Sequence, residues 1–416
     1  MFRKDTIGEG ILLLSEYIPY VHSVSLGIWV KSGSIYDDER AKGSAHFVEH
    51  MLFKGTKKRS AFDIAKHIDD VGGNLNAYTS KEYTSYYVKV LKEDLPLAID
   101  VLSDIFLNST FPEEEIEKEK GVVIQEIKMT EDTPDDYIHE LALGAMWDGH
   151  PLGQSILGEV DTVTSLDRDL LMRYKDTHHT RENIIIGIVG NFDFEQLRSL
   201  LSASIIGIPQ GEAREMSPAT FHPGTLVVEK DTEQVHVSLN FPSLFYSHPK
   251  RYIQYILNTI IGGGMSSRLF QEVREKRGLA YSVYSYILSF RNAGGLGIYA
   301  GTERESLNEL VEIIVEELNK ISRFRLSEEE LKSTKGQIKG NLILSMESTG
   351  ARLSRMVKNE IYFGRQIEAE EIIKNIDAVT IDEVLEIARE IVHLDTICAV
   401  YLGPLSEREA PRIAAS

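Results

Sequence analysis

The sequence predicts an α+β protein made of two homologous domains that arose by internal duplication. Three short segments recur in the same order, and the two copies of each lie 213 to 216 residues apart. The matching pairs are 24–26 with 237–239, 111–116 with 326–331, and 160–164 with 376–380. Three matches at nearly one spacing indicate a repeated unit. Because each unit contains both strand-like and helix-like segments, the α+β class is expected.

The strands of the first half are predicted from residues that alternate between two faces. Residues 22–30 alternate in this way. Residues 83–91 carry a β-branched or aromatic side chain at every second position, and a short polar break separates them from 74–80. These two runs are predicted to form a hairpin. With a further strand at 183–189, each domain is expected to hold a mostly antiparallel β-sheet packed with helices.

Helices are predicted between and after these strands. The first of them carries residues 46–50. The second begins near Ser60, since Ser60 and Asp63 have the spacing of a helix cap, and it ends at 72–73, a pair of glycines. The other helices expected in the first half lie near 93–108, 113–130, 133–147, 165–175 and 193–203.

The boundary between the two domains is placed in a segment with linker composition. Residues 211–224 are polar and contain Pro218, Pro223 and Gly224, which favour loops. The sequence therefore predicts a first domain at 1–210 and a second at 225–416. A chain of 416 residues is also too long for a single ordinary core.

The net charge of −19 restricts the classes of partner. Nucleic acid and anionic membranes require concentrated Lys and Arg, so neither is expected to bind. If the acidic side chains line a cavity, they attract cationic ligands. The alternative is a solvated acidic surface that serves only solubility.

The cysteine content indicates the kind of cellular compartment in which the protein is expected. Cys398 lies in an apolar, strand-like run, so a buried and inert thiol is expected rather than a nucleophile. One cysteine cannot form a disulfide within the chain. The longest apolar runs are too short to span a bilayer, and the polar N-terminus resembles no secretory signal. A cytoplasmic location fits these features.

The candidate chemistry is concentrated in residues 46–50, which read His-Phe-Val-Glu-His. On a helix, His46 and His50 lie one turn apart on one face, so both imidazoles can reach one metal ion. Glu49 lies beside them and can reach a water molecule on that metal. This is the H-x-x-E-H pattern of inverzincins. The alternative is two surface histidines on an ordinary amphipathic helix.

The duplication indicates which half can bind the metal. Shifted by 215 residues, the three positions of the motif fall on Ile261, Gly264 and Met265. The second half contains no H-x-x-E-H. We therefore expect the metal in the first half alone.

A catalytic zinc ion usually takes a third protein ligand. The predicted helix 113–130 offers Glu119 and Glu126, seven residues and about 10 Å apart along the axis, so one is expected to be the ligand and the other to support it. Their counterparts in the second half are Thr334 and Asn341, so both acids disappear together with the histidines. The alternative is that both belong to a solvated acidic face.

Residues 46–56 resemble the insulinase/pitrilysin family of zinc metallopeptidases, and most closely its bacterial and mitochondrial processing-peptidase branch. The resemblance implies that Glu126 is the third ligand, with His46 and His50, of one Zn²⁺ per chain. It also implies that Glu119 supports the site without binding the metal.

The resemblance extends over nearly the whole chain. Residues 76–79 resemble the family's edge strand, which implies that Asn76 and Ala77 pair with the substrate backbone. Residues 262–281 resemble the branch's second-half signature, in which Arg274 and Tyr281 match an Arg/Tyr pair that faces the zinc ion. Branch members of this length form a half-clamshell, that is, one half of an enclosed chamber. The resemblance therefore implies that two copies associate as a homodimer.

The implied function is that of a zinc-dependent endopeptidase acting on extended, unstructured peptides or presequence-like segments. Glu49 is expected to act as the general base, with Arg274 and Tyr281 stabilising the oxyanion or holding the peptide. The negative charge favours cationic peptides. The alternative is a non-catalytic or partner-dependent subunit of a heterodimeric processing peptidase, because some relatives have lost the metal motif.

Overall fold

The computed structural model describes residues 1–8, 10–212, 216–322 and 326–413. The chain forms two compact units. Unit 1 consists of Met1–Met129, Gln154–Met216 and Ser345–Gln366. Unit 2 consists of Thr130–Gly153, Ser217–Leu344 and Ile367–Ser416. The domain boundary at 211–224 remains a prediction, and residues 213–215 of it lie outside the described part of the chain.

Unit 1 contains a six-stranded sheet. Its strands are β1 (Phe2–Ile7), β2 (Ile11–Tyr17), β3 (Ser23–Val30), β4 (Asn74–Thr79), β5 (Thr84–Leu91) and β6 (Ile184–Gly190). Their order across the sheet is β1-β2-β6-β3-β5-β4. Neighbours pair antiparallel except β2 and β6, which are parallel. The predicted hairpin is confirmed as β4 and β5, whereas β1 and β2 were not expected from the sequence.

Unit 2 contains a five-stranded sheet that repeats this arrangement. Its strands are β7 (Gly224–Glu229), β8 (Val235–Pro242), β9 (Ala280–Ser289), β10 (Gly294–Thr302) and β11 (Cys398–Gly403). Their order is β7-β11-β8-β10-β9, and the only parallel pair in this described sheet is β7 with β11. The order β7-β11-β8-β10-β9 corresponds strand by strand to β2-β6-β3-β5-β4 of unit 1, and the parallel pair lies at the same place in both. The predicted duplication of a mostly antiparallel α+β domain is therefore confirmed.

Fourteen α-helices accompany the sheets in the described residues. Those of the first half are α1 (Ser44–Leu52), α2 (Ala61–Asp69), α3 (Leu95–Asn108), α4 (Glu113–Asp132), α5 (Pro134–Met146), α6 (Val160–Ser165), α7 (Arg168–His178) and α8 (Phe194–Ser204). Those of the second half are α9 (Arg251–Gly262), α10 (Leu307–Ser322), α11 (Glu328–Ser345), α12 (Thr349–Phe363), α13 (Ala369–Ala378) and α14 (Ile381–Ile391). None of the described helices is both long and apolar enough to cross a membrane.

The helix predicted near 165–175 corresponds to α7. Its start is later than predicted, because the helical conformation is broken between α6 and α7. Leu166 has an extended backbone, and Asp167 caps α7. The Asp167 side chain accepts a hydrogen bond of 2.8 Å from the Leu170 amide. Such a cap satisfies an amide at the start of a helix and favours a new helix there.

Each compact unit includes a helix from the opposite half of the sequence. Helix α12 belongs to unit 1 and packs on one face of its sheet, where Leu353 and Val357 bury Leu14 and Trp29. The fit is close, because a Cβ atom on Gly187 would lie 2.7 Å from Cδ1 of Leu353. Helix α5 belongs to unit 2.

The opposite face of the unit 1 sheet carries the main core, which includes the apolar side of α1. Phe47, Val48, Met51 and Leu52 are all fully buried in this cluster. The α1 backbone is thereby fixed against the sheet, which fixes the positions of the remaining side chains on the helix. Cys398 is also buried, as the sequence predicts.

Candidate metal centre

The start of α1 is held by the carboxylate of Asp37. The amides of Gly43 and Ala45 donate hydrogen bonds of 2.8 and 3.0 Å to its two oxygens. Gly43 has φ of 90°, a conformation that favours glycine, and a Cβ there would lie 2.6 Å from the Leu157 carbonyl oxygen. These contacts and the buried apolar face of α1 set the direction in which the motif side chains project.

Three side chains of metal-ligating type, two from α1 and one from α4, come together. The Nε2 atoms of His46 and His50 lie 3.1 Å apart. Oε2 of Glu126 lies 3.7 Å from His46 Nε2 and 3.9 Å from His50 Nε2. These are the only three residues among those described whose nitrogen, sulfur or carboxylate ligand atoms form such a group.

The distances fit a shared zinc ion. Zinc–nitrogen bonds of about 2.0–2.1 Å in a tetrahedral site separate two ligand nitrogens by about 3.3 Å. Two imidazole nitrogens 3.1 Å apart can share a proton, or both can direct a lone pair at one metal ion. Burial, followed by the charge of His50, lowers the pKa of His46 to about 3. His46 is therefore a neutral imidazole, the form that can bind a metal.

Glu119 contacts His50 on the other side of its ring. Nδ1 of His50 donates a hydrogen bond of 2.7 Å to Oε1 of Glu119. The second oxygen, Oε2, lies 2.5 Å from Nζ of Lys54. Burial opposes ionisation of Glu119, but the hydrogen bonds with His50 and Lys54 hold its pKa below the ordinary value. The two acids on α4 therefore occupy different positions: Glu126 faces the Nε2 atoms, and Glu119 orients one ring.

Glu49 is buried next to the cluster and is held by β4. Its Oε2 atom accepts a hydrogen bond of 2.5 Å from the Thr79 hydroxyl. Burial raises the pKa of Glu49, and the Thr79 hydroxyl counteracts part of this rise. The arrangement leaves a carboxylate with increased proton affinity beside the three candidate ligands, as proton transfer requires.

Sequence reasoning missed Lys54 and Thr79. Lys54 follows the end of α1, and Thr79 is the last residue of β4. Both have contacts that depend on how α4 and β4 pack against α1, and no motif in the sequence reports that packing. Their only signal was position, since Lys54 is close to the motif and Thr79 is the next-to-last residue of the predicted hairpin strand 74–80.

Asn76 and Ala77 lie on β4, at the end of the strand order in the described sheet of unit 1. They pair with Tyr87 and Tyr86 of β5. As the last strand, β4 has a second edge that pairs with no described strand of this sheet. An edge of this kind can accept an extended peptide through main-chain hydrogen bonds.

Arg274 and Tyr281 contact each other within unit 2. The guanidinium of Arg274 donates a hydrogen bond of 2.9 Å to the Tyr281 carbonyl. Its central carbon lies 4.4 Å from the centre of the Tyr281 ring, a cation–π contact. The Tyr281 side chain is 77% exposed and therefore free to meet a ligand. Their predicted role towards the metal remains a prediction.

Two family models match most of the chain. The model described as insulinase (peptidase family M16) matches residues 12–160, and the model described as the peptidase M16 inactive domain matches residues 165–338. A Bacillus subtilis protein named as an uncharacterized zinc protease, YmxG, is 42% identical and covers 94% of this chain and 96% of its own length. A Streptomyces coelicolor protein that is also named as an uncharacterized zinc protease is 39% identical. The match covers 99% of this chain and 91% of the length of that protein.

Solved structures show the same fold. A protease from Helicobacter pylori superposes with a TM-score of 0.90 at 20% identity and covers 97% of this chain and 99% of its own. A chain of complex III from Candida albicans superposes with a TM-score of 0.84 at 20% identity. The match covers 97% of this chain and 96% of the Candida chain. At this level of identity, the likeness concerns the fold alone.

Proposed function

The chain belongs to the insulinase family, peptidase family M16, and on that premise we propose that it is a zinc-dependent endopeptidase. The observation that supports this most strongly is the meeting of His46, His50 and Glu126 beside the buried carboxylate of Glu49. Two imidazole nitrogens and one carboxylate are a typical catalytic zinc set, since they leave a position open. One zinc ion per chain follows from the single H-x-x-E-H.

Each protein group has a role in this proposal. A bound zinc ion lowers the pKa of water and polarises a carbonyl group. Glu49 accepts the proton of the attacking water and returns it to the leaving amine. The Thr79 hydroxyl keeps the Glu49 carboxylate in one orientation, and Glu119 keeps Nε2 of His50 directed at the metal position.

The proposed substrates are extended, unstructured peptides. The open edge of β4 supports this, because an added strand must be extended, with Asn76 and Ala77 next to its backbone. Arg274 and Tyr281 would hold the peptide or donate to the oxyanion. The net charge of −19 supports a preference for cationic peptides.

We further propose a cytoplasmic homodimer. The single buried cysteine suits a reducing compartment. The alternative is a subunit that is active only with a different partner, and the match of residues 165–338 to a domain described as inactive favours it. The complete set of metal-binding and proton-transfer residues in the first half favours an enzyme that acts without such a partner.

The purified chain tests this proposal. It should contain about one zinc ion per chain and cleave members of a random peptide library, as detected by mass spectrometry. Removal of zinc with a chelator should stop cleavage, and added zinc should restore it. A zinc-loaded homodimer that cleaves no peptide until a second, different protein is added would support the alternative.

A further inference from the structure

A cationic cavity in unit 1 has no place in the proposed reaction. It has a volume of about 390 Å³, within the range of small-molecule sites. Its walls come from the end of α3, from α7 and from residues 207–209. None of the residues assigned above to zinc binding or proton transfer lines it.

Three cations and one acid line this cavity, in a chain whose net charge is −19. The cations are Lys57, Arg168 and Lys175, and the acid is Asp176. The Arg168 guanidinium donates to the carbonyls of Phe111 and Thr110 at 3.2 and 3.3 Å, so it is anchored by neutral groups. Within the described residues, Lys57 and Lys175 form no ion pair or hydrogen bond through their ammonium groups.

His179 forms part of the cavity wall. Its Nδ1 atom is buried and has no hydrogen-bond partner among the described residues. The residue is only 5% exposed and stacks on Phe106 with ring centres 4.9 Å apart. The stacked rings of Phe106 and His179 therefore give the cavity an aromatic wall.

The remaining lining is partly apolar and partly polar, the polar residues being Asn108, Ser109 and Thr110. Leu107, Met172, Ile208 and Pro209 contribute to the apolar part together with the Phe106 ring. A bare inorganic anion would leave these side chains without a partner, whereas an apolar body attached to the anionic group would bury them. Burial also lowers the pKa of Lys175, and a bound anion would compensate for that burial.

We propose that this cavity is a binding site for a small organic anion. The anionic group, a carboxylate or a phosphate ester, contacts Lys57, Arg168 and Lys175. The apolar body lies against Phe106, Leu107 and Ile208.

Two hydrogen bonds connect the cavity wall to the end of α1 and to the residues that follow it. The Ser109 hydroxyl, in the cavity wall, donates a hydrogen bond of 2.8 Å to the carbonyl of Leu52, the last residue of α1. The Thr110 amide donates to the Gly55 carbonyl at 3.2 Å. The proposal concerns binding, and it stands whether or not the chain proves to be a peptidase.

Calorimetric titration with benzoate, benzamide and inorganic phosphate tests the proposal. We expect benzoate to bind measurably, benzamide not to bind because it lacks the charge, and phosphate to bind more weakly because it lacks the apolar body. K57M and K175M should each weaken benzoate binding by about tenfold, the size expected for loss of a charged hydrogen bond. Lys57 is exposed, so K57M should fold normally. Lys58 is exposed and lies outside the cavity, so K58M should bind benzoate as the wild type does.

Because carboxylates also bind zinc, the H50Q variant serves as a further control. Retained benzoate binding by H50Q is expected. Loss in H50Q with normal binding by K57M and K175M would mean that benzoate binds the metal and would overturn the proposal. Equal binding of benzoate and benzamide, or no benzoate binding at all, would also overturn it. Crystals soaked with 4-bromobenzoate should show the anomalous bromine signal next to Phe106, and a signal only elsewhere would contradict the assignment.

Discussion

Glu119 and His50 form a hydrogen bond of 2.7 Å that fixes which nitrogen of the imidazole carries the proton. With the proton on Nδ1, the lone pair of Nε2 points to the position shared with His46 and Glu126. Partners of this kind orient metal-binding histidines in many sites. This relationship distinguishes the two acids on α4.

Replacing Glu119 should therefore weaken zinc binding without removing a ligand. E119Q is expected to lower zinc affinity by about 10–100-fold, the usual effect of losing such a partner. Glu117 lies on the same helix with its side chain 70% exposed, so E117Q is the matched control and should leave the affinity unchanged. Competition with a zinc-binding dye measures both. An unchanged affinity in E119Q would show that Glu119 has no role in the site.

The comparison of E49Q with H50Q separates proton transfer from metal binding. E49Q keeps the size of the side chain but removes the base, so it should retain about one zinc ion per chain and lose about two to four orders of magnitude in turnover. H50Q should lose the metal together with the activity. Atomic spectroscopy and a quenched fluorescent peptide measure the two properties. If E49Q loses zinc as completely as H50Q, Glu49 is a ligand and the mechanism is misassigned.

Thr79 should act on the rate through Glu49. T79V keeps the shape but removes the hydroxyl, and turnover should fall by about tenfold, while zinc content stays unchanged. T79S, which keeps a hydroxyl, should retain most of the activity. Because the hydroxyl lowers the pKa of Glu49, its loss should raise that pKa and move the acidic limb of the pH–rate profile of T79V to higher pH. A T79V profile and rate equal to the wild type would exclude this role.

Helix α12 should stabilise unit 1 although it follows α11 of the second half. Leu353 is 2% exposed and packs against Leu14 and Trp29, so L353A should reduce the free energy of unfolding by about 2–5 kcal/mol. Leu344, which is 66% exposed, provides the matched control, and L344A should change stability by less than about 0.5 kcal/mol. Urea denaturation followed by circular dichroism compares them. Equal midpoints would contradict the packing of α12.

Substrate charge gives a further test. Basic and acidic peptides matched in length and cleavage site should differ in kcat/KM in favour of the basic one, because the chain carries a charge of −19. The difference should shrink as salt is added, since salt screens interactions between exposed charges. Equal rates at low salt would show that the acidic residues serve solubility alone.

Much of the site could be predicted from local sequence. The spacing of His46 and His50 is a property of a single helix, so it needs no tertiary information. The duplication and the hairpin of β4 and β5 are also visible in the sequence, because repeats and alternation are local patterns. Strands β1 and β2 were not, because their short runs became recognisable as strands only by pairing in the sheet.

The sequence by itself determined the fold class, the half that carries the metal motif, and the pair of acids from which a third ligand could come. Tertiary structure decided that Glu126 meets the Nε2 atoms while Glu119 contacts Nδ1 of His50, because the packing of α4 against α1 sets those distances. It also brought Thr79 to Glu49 and α12 to unit 1. Contacts between residues far apart in the chain depend on how whole elements pack, and no single stretch of sequence encodes that packing.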